Sequence, residues 1–157
     1  MPEQRVRPTV IPTLTVNDGK AALDFYQRIF GAQQPMSPML GPNGKIMHAE
    51  LAFGDQRVFV SDEFPEMGVF GPKHLGGTPV TIELYVADVD KTFAAATSAG
   101  AEVRMPPADM FWGDRYCQII DPWGHRWGLA THKEDVSREE MERRAKVQMA
   151  EWASKKS

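Results

Sequence analysis

Val10-Ile11-Pro12-Thr13-Leu14-Thr15-Val16-Asn17-Asp18 and Val80-Thr81-Ile82-Glu83-Leu84-Tyr85-Val86-Ala87-Asp88 decide the fold, because one can be laid over the other at an offset of 70. Val10/Val80, Leu14/Leu84, Val16/Val86 and Asp18/Asp88 then coincide. Both stretches carry the alternating apolar residues of a strand with one buried face. A helix-like run follows each copy and ends in Gly-Ala, at Gly31-Ala32 and again at Gly100-Ala101, an offset of 69 that one inserted residue explains. Two duplicated supersecondary units are the consequence.

The repeat continues in residues 48–62 and 118–132, where Phe53-Gly54-Asp55 falls on Trp123-Gly124-His125, again at an offset of 70. Each glycine stands between two extended runs, the pattern of a hairpin. Every unit therefore reads as strand, helix and hairpin strands, a βαβββ module. The fold class expected is α+β, with tandem modules at about 9–62 and 80–133 forming a curved, cup-like mixed sheet and the helices outside. Residues 63–79 join the modules, and residues 134–157 form a charged C-terminal helix.

With 157 residues, 42% of them hydrophobic, the chain is long enough for one domain of two half-sized modules. A net charge of -3 without a Lys/Arg stripe excludes the electrostatic footprint of a nucleic-acid binder. Apolar runs fall short of a membrane span, and residues 1–8 form a polar lead-in, so a cytoplasmic protein without membrane or nucleic-acid partners is expected. Cys117 is the single cysteine, which excludes an intrachain disulfide and a cysteine-based metal site.

The first helix is predicted over Gly19–Phe30, capped by Asn17 or Asp18, with Ala22, Phe25, Tyr26 and Ile29 on its apolar face. The second is predicted over Val89–Ser98 with Gly100 as its C-cap. Residues 34–43, rich in Met and Pro, and residues 63–79, rich in Gly and Pro, read as long connections. Ser137 to Glu140 has the form of a capping box, and the helix it starts carries Met141, Ala145, Met149 and Trp152 on one face, for docking on the domain or on a second subunit.

The tandem βαβββ pattern, with Thr15-Val16-Asn17-Asp18 leading into Ala21-Ala22-Leu23-Asp24-Phe25-Tyr26 and with Asp121-Pro122-Trp123-Gly124-His125 near the end, resembles the vicinal oxygen chelate superfamily of glyoxalases, bleomycin-resistance proteins and extradiol dioxygenases. Met47-His48-Ala49-Glu50-Leu51, Ser61-Asp62-Glu63 and Phe111-Trp112-Gly113-Asp114-Arg115-Tyr116 are similar to its PhnB-like branch. In metal-dependent members the ligands come from the first and last strand of each module. That resemblance places the four positions at Ile11, Val58, Thr81 and Gly128, none of which is a normal ligand for a divalent ion. A slip of one residue offers Pro12, Ile82 and Leu129 with Arg57 or Phe59, and no ligand set either. No metal and no cofactor are therefore expected. The resemblance further implies a homodimer with two pockets.

His48 and Glu50 share a strand face and either make hydrogen bonds at a strand edge or at the pocket wall or supply two ligands of a divergent metal site. Glu83 sits mid-strand on the concave face, either ion-paired with Arg126 or acting with His48 as a general base in an isomerase or lyase. Residues 105–116 form a loop dense in large side chains, in which Trp112 and Tyr116 offer a stacking wall and Arg115 a partner for an anion or carbonyl. Thr13, Thr81 and Glu50 join them as candidate ligand contacts, with Met36, Met39 and Met47 as flexible lining. A metal-independent pocket for a small aromatic or amphipathic molecule is the first functional expectation, and the isomerase or lyase the alternative.

Overall fold

The computed structural model describes residues 9–155, so the lead-in expected at 1–8 and the last two residues lie outside the described part. The chain divides into two units, residues 1–76 and 77–157. Each holds one βαβββ module and one four-stranded mixed sheet.

In the first unit, β1 (Thr13–Val16) is followed by α1 (Gly19–Phe30), a two-residue edge strand β2 (Met39–Leu40), β3 (Ile46–Phe53) and β4 (Gln56–Asp62), in the spatial order β1-β4-β3-β2. Asp18 caps α1 by accepting from the Ala21 backbone N–H, and Gly31 ends it in the left-handed region at φ 72°. Leu14, Val16, Ala49, Leu51, Val58 and Val60 are buried on one face of the sheet, as are Ala22, Phe25 and Tyr26 of the helix. Asp62 ties the start of the helix to the sheet, accepting at 2.7 Å from both the Gly19 and Ile46 backbone N–H groups.

Residues 63–79, read from the sequence as a linker, are largely structured. Gly71 donates its N–H to Glu63 Oε1 at 2.7 Å, and a short helix, α2 (Pro72–Leu75), follows. Residues up to Gly76 belong to the first unit, so the division falls between Gly76 and Gly77.

The second unit repeats the plan with β5 (Thr81–Tyr85), α3 (Val89–Ser98), β6 (Glu102–Asp109), β7 (Asp114–Ile120) and β8 (Arg126–His132), in the order β5-β8-β7-β6. Asp88 caps α3 through the Lys91 N–H, and Thr131 does for Val89 what Asp62 does for Gly19, accepting its N–H at 2.8 Å. Ala99 is the C-cap and Gly100, at φ 98°, follows it. Trp127, Leu129, Cys117, Ile119, Val89 and Ala96 are buried. Burial, more than any other cause, pushes the Cys117 thiol up to about 11.

The expected loop over 105–116 is instead a hairpin. Pro106 and Pro107 suggest a break, yet β6 is an edge strand, where missing N–H donors are tolerated. Two register irregularities, between Val103 and Met105 and between Met105 and Ala108, absorb them. After His132 the chain returns along the turn, with Lys133 and Glu134 donating their N–H groups to the Gly113 carbonyl. α4 (Arg138–Ser154) begins at Ser137, whose hydroxyl accepts the Glu140 N–H as the capping-box pattern predicts.

Candidate functional site

Pairing along the second sheet puts Glu83 opposite Gly128, Gly128 opposite Gln118 and Gln118 opposite Met105. The next row on the same face runs Tyr85, Ala130, Tyr116, Ala108. The central strand β8 thus presents Gly128 and Ala130 where its neighbours present large side chains. The space so left is a cavity of about 510 Å³, floored by Ala130 and walled by Met105, Met110, Phe111, Trp112, Tyr116 and Trp152. Glu83, Tyr85, Asp114 and Gln118 supply its polar atoms.

Two hydrogen-bond systems fix these side chains. Gln118 Nε2 donates to the Tyr116 hydroxyl at 2.9 Å, and that hydroxyl donates to Glu83 Oε1 at 3.1 Å. A Cβ added at Gly128 would overlap Glu83 Oε2 and come within 2.5 Å of the Tyr116 oxygen, so glycine is what admits this arrangement. Burial first, and the Glu83 charge next to it, hold the Tyr116 hydroxyl above its usual range, which keeps it a donor.

The second system centres on Asp114, which is 4% exposed. Its Oδ2 accepts from the Tyr85 hydroxyl at 2.7 Å and from Trp112 Nε1 at 2.9 Å, and its Oδ1 lies 2.9 Å from His132 Nδ1. Burial pushes the Asp114 carboxyl up, but the hydrogen bonds from His132, Tyr85 and Trp112 outweigh it and carry it below the ordinary value. Trp112, held in this way, stands edge-on to Tyr116 with centroids 5.6 Å apart. Asp114 has no role that the sequence alone assigns. Its signal is parity: Asp114 and Tyr116 share a strand face and Arg115 takes the opposite one.

His132, at the end of β8, is half exposed and bridges Asp114 and Asp135, each at 2.9 Å. Hydrogen bonds to Asp114 first and to Asp135 second raise its pKa from 6.5. A group raised on folding contributes stability that is full below pH 6.5 and is lost as pH rises through the folded value. Wild type should therefore exceed His132→Gln in urea midpoint by more at pH 5.5 than at pH 9. A difference that does not change with pH would show the bridge to be electrostatically idle.

Arg115 does not reach the cavity. Its Nε and Nη2 bond Asp90 at 2.6 and 3.0 Å and its Nη1 bonds Asp109 at 3.2 Å; these two carboxylates raise its pKa and occupy it. The ion pair of Glu83 with Arg126, one of the two alternatives, is not formed: Glu83 Oε1 accepts from Tyr116, while Arg126 stands one row away opposite Thr81. Arg126 Nε is buried with no hydrogen-bond partner among the described residues. Thr81 lies one row beyond the cavity lining. Trp152, read from the sequence as part of a face that docks on the domain or on a second subunit, lies on the cavity wall.

The remaining candidates belong to the first unit. Thr13 pairs with Phe59 and Phe59 with Glu50, and His48 Nε2 lies 3.3 Å from Glu50 Oε1, with its ring edge-on to Phe59 at 4.6 Å. Met36, Met39 and Met47 are exposed on this unit and do not line the cavity. Among the described residues, no three His, Cys, Asp or Glu side chains gather as a metal ion requires.

The register also corrects one of the four resemblance-derived ligand positions. Leu14 pairs with Val60 and Leu84 with Leu129, so the last strands correspond at an offset of 69 (129 minus 60). The counterpart of Gly128 is therefore Phe59, whereas Val58 is buried in the core. The first strands correspond at 70 (84 minus 14), one more than the last, so an offset carried over from the first strands lands one residue short. Phe59 is no better a ligand than Val58, and the Glu83 carboxylate fills the place of a side chain at 128. The residues present do not fit the superfamily's metal.

Comparison with known proteins agrees with this architecture. The profile of the Glyoxalase/Bleomycin resistance protein/Dioxygenase superfamily matches residues 9–129, and the chain belongs to that superfamily. An uncharacterized protein of Mycobacterium bovis is 41% identical over 140 residues, 87% of this chain and 91% of the relative. Among solved structures, protein PA1353 from Pseudomonas aeruginosa superposes with a TM-score of 0.65 at 23% identity, over 82% of this chain and 100% of the other. TnmS3, an antibiotic binding protein from Streptomyces sp. CB03234, has a TM-score of 0.59 at 22% identity, over 83% of this chain and 100% of the other.

Proposed function

We propose that the protein binds a small aromatic or amphipathic molecule in the cavity of its second unit, without a metal ion. The observation that carries this reading is a space of about 510 Å³ over Ala130, walled by Phe111, Trp112, Tyr116 and Trp152. Apolar and aromatic walls with a few fixed polar groups are the usual construction of a ligand site. TnmS3, with which the chain shares the fold, is by its name a protein that binds an antibiotic. A general-base role for Glu83 draws no support from its surroundings, since its carboxylate is exposed rather than enclosed by apolar groups. The proposal extends to a cytoplasmic homodimer of the PhnB-like branch, with the ligand as the other partner.

The test is titration of a naphthalene-bearing probe, followed by tryptophan fluorescence and calorimetry. Trp112→Ala is expected to weaken binding by about tenfold or more, because an aromatic contact of this kind contributes on the order of 1 kcal/mol beyond its buried area. Undiminished affinity in that variant would overturn the site. Elemental analysis of protein purified without chelator should find no stoichiometric metal, and added Ni, Zn, Mn or chelator should leave the melting temperature unchanged. Stoichiometric metal would move the protein toward glyoxalase or dioxygenase chemistry.

A further inference from the structure

The cavity lining has a sign. It contains two carboxylates, Glu83 and Asp114, and no Lys, Arg or His. Asp114 is spent internally on Tyr85, Trp112 and His132. Glu83 is different: Oε1 accepts one hydrogen bond from Tyr116, while Oε2 lies over Gly128, where no side chain competes for it. The cation expected to neutralise it, Arg126, makes no ion pair with it, and Arg115 is held by Asp90 and Asp109. An exposed carboxylate therefore stands on an open face among the rings of Trp112, Tyr116 and Tyr85, which favour a cation over an anion through their π faces.

Resting on the reading of this cavity as a ligand site, we infer that its ligand is a cationic amphipath: an aromatic or apolar body bearing a protonated amine or amidine that bonds Glu83 Oε2. The apolar body lies against Trp112, Met105 and Met110, and the N–H groups of the cation donate to the carboxylate. A carboxylate in place of the amine would meet Glu83 as a like charge, and the lining offers it only neutral donors, of which Tyr85 and Trp112 are bonded to Asp114 and Gln118 to Tyr116. The selection is made by one charged oxygen and by the small residue beneath it.

Three probes that differ in a single group decide this: 1-naphthylmethylamine, 1-naphthylmethanol and 1-naphthoic acid, titrated into the full chain at pH 7. The amine should bind more tightly than the alcohol by on the order of tenfold, as a charge-assisted bond exceeds a neutral one, and the acid should bind most weakly. Glu83→Gln, which keeps an acceptor for Tyr116, should bring amine and alcohol within about twofold of one another. Equal binding of the three probes by wild type, or a preference for the acid, overturns the charge selection while leaving the cavity a ligand site. Binding of none overturns both. An amine preference that survives Glu83→Gln removes the role assigned to Glu83.

Discussion

Asp121→Ala is expected to cost about 3–5 kcal/mol of stability, the largest effect of any single polar substitution in the second unit. Asp121 is 3% exposed and closes the turn between β7 and β8. Its Oδ1 accepts the backbone N–H groups of Trp123 and His125 at 3.0 and 2.9 Å, and its Oδ2 accepts Trp127 Nε1 at 2.9 Å. Removing the carboxylate orphans three donors, each costing about 1–3 kcal/mol where water cannot replace the partner. Trp127, 1% exposed, would also lose the bond that orients its ring. Asp121→Asn separates the two halves of the effect. Its carbonyl oxygen can still serve the turn, but its NH₂ would face Trp127 Nε1 donor to donor, so an intermediate loss is expected. Urea unfolding followed by tryptophan fluorescence measures both. A loss below about 1 kcal/mol for the alanine variant would mean that the backbone bonds from Asp121 N to His125 O and from Gly124 N to Asp121 O hold the turn unaided.

Asp114→Ala is expected to weaken binding of an aromatic probe by tenfold or more while leaving every apolar wall residue of the cavity in place. The carboxylate is the common acceptor for Tyr85 and Trp112, and Trp112 in turn packs on Phe111 and Tyr116. Without it the indole N–H has no fixed partner, and the wall that a ligand would stack against must be ordered at the ligand's expense. The affinity should fall toward that of Trp112→Ala, and the double variant should lose little more than either single one, since both remove the same positioned ring. Additive losses would show that Asp114 acts on the ligand by some route other than Trp112. The variant also removes the main cause of the raised His132 pKa, so the pH dependence described above should shrink with it.

Helix boundaries were legible from local chemistry, since Asp18 and Asp88 are caps and the apolar spacing of Gly19–Phe30 and Val89–Ser98 belongs to a helix. The repeat carried the rest of the topology, because duplicated strands must pair in duplicated ways. It failed at the last strand, where a sequence offset counts residues and the sheet counts hydrogen-bonded pairs. The first strands correspond at an offset of 70 (84 minus 14) and the last at 69 (129 minus 60), so the residue that matches Gly128 is Phe59 and not Val58. The hairpin at 105–116 was hidden by Pro106 and Pro107, whose cost depends on edge position, a property of the sheet and not of the segment. Trp112 and Tyr116 were visible as an aromatic cluster. Arg115 looked like their companion until strand parity sent it to Asp90 on the other side. Asp114 was invisible for a different reason: its three partners, Tyr85, Trp112 and His132, come from three places in the chain, and only the folded sheet makes them neighbours.

Cys117 gives the second unit a built-in clock. The thiol is fully enclosed between β6 and β8 on the helix side of the sheet, and its pKa near 11 leaves almost no thiolate at neutral pH. An alkylating reagent can reach it only when the strands part. As the chain has no other cysteine, the labelling rate in native buffer counts opening events of this one unit, undisturbed by the first. A cavity ligand should slow that clock in proportion to its occupancy, and Asp121→Ala should make it run fast.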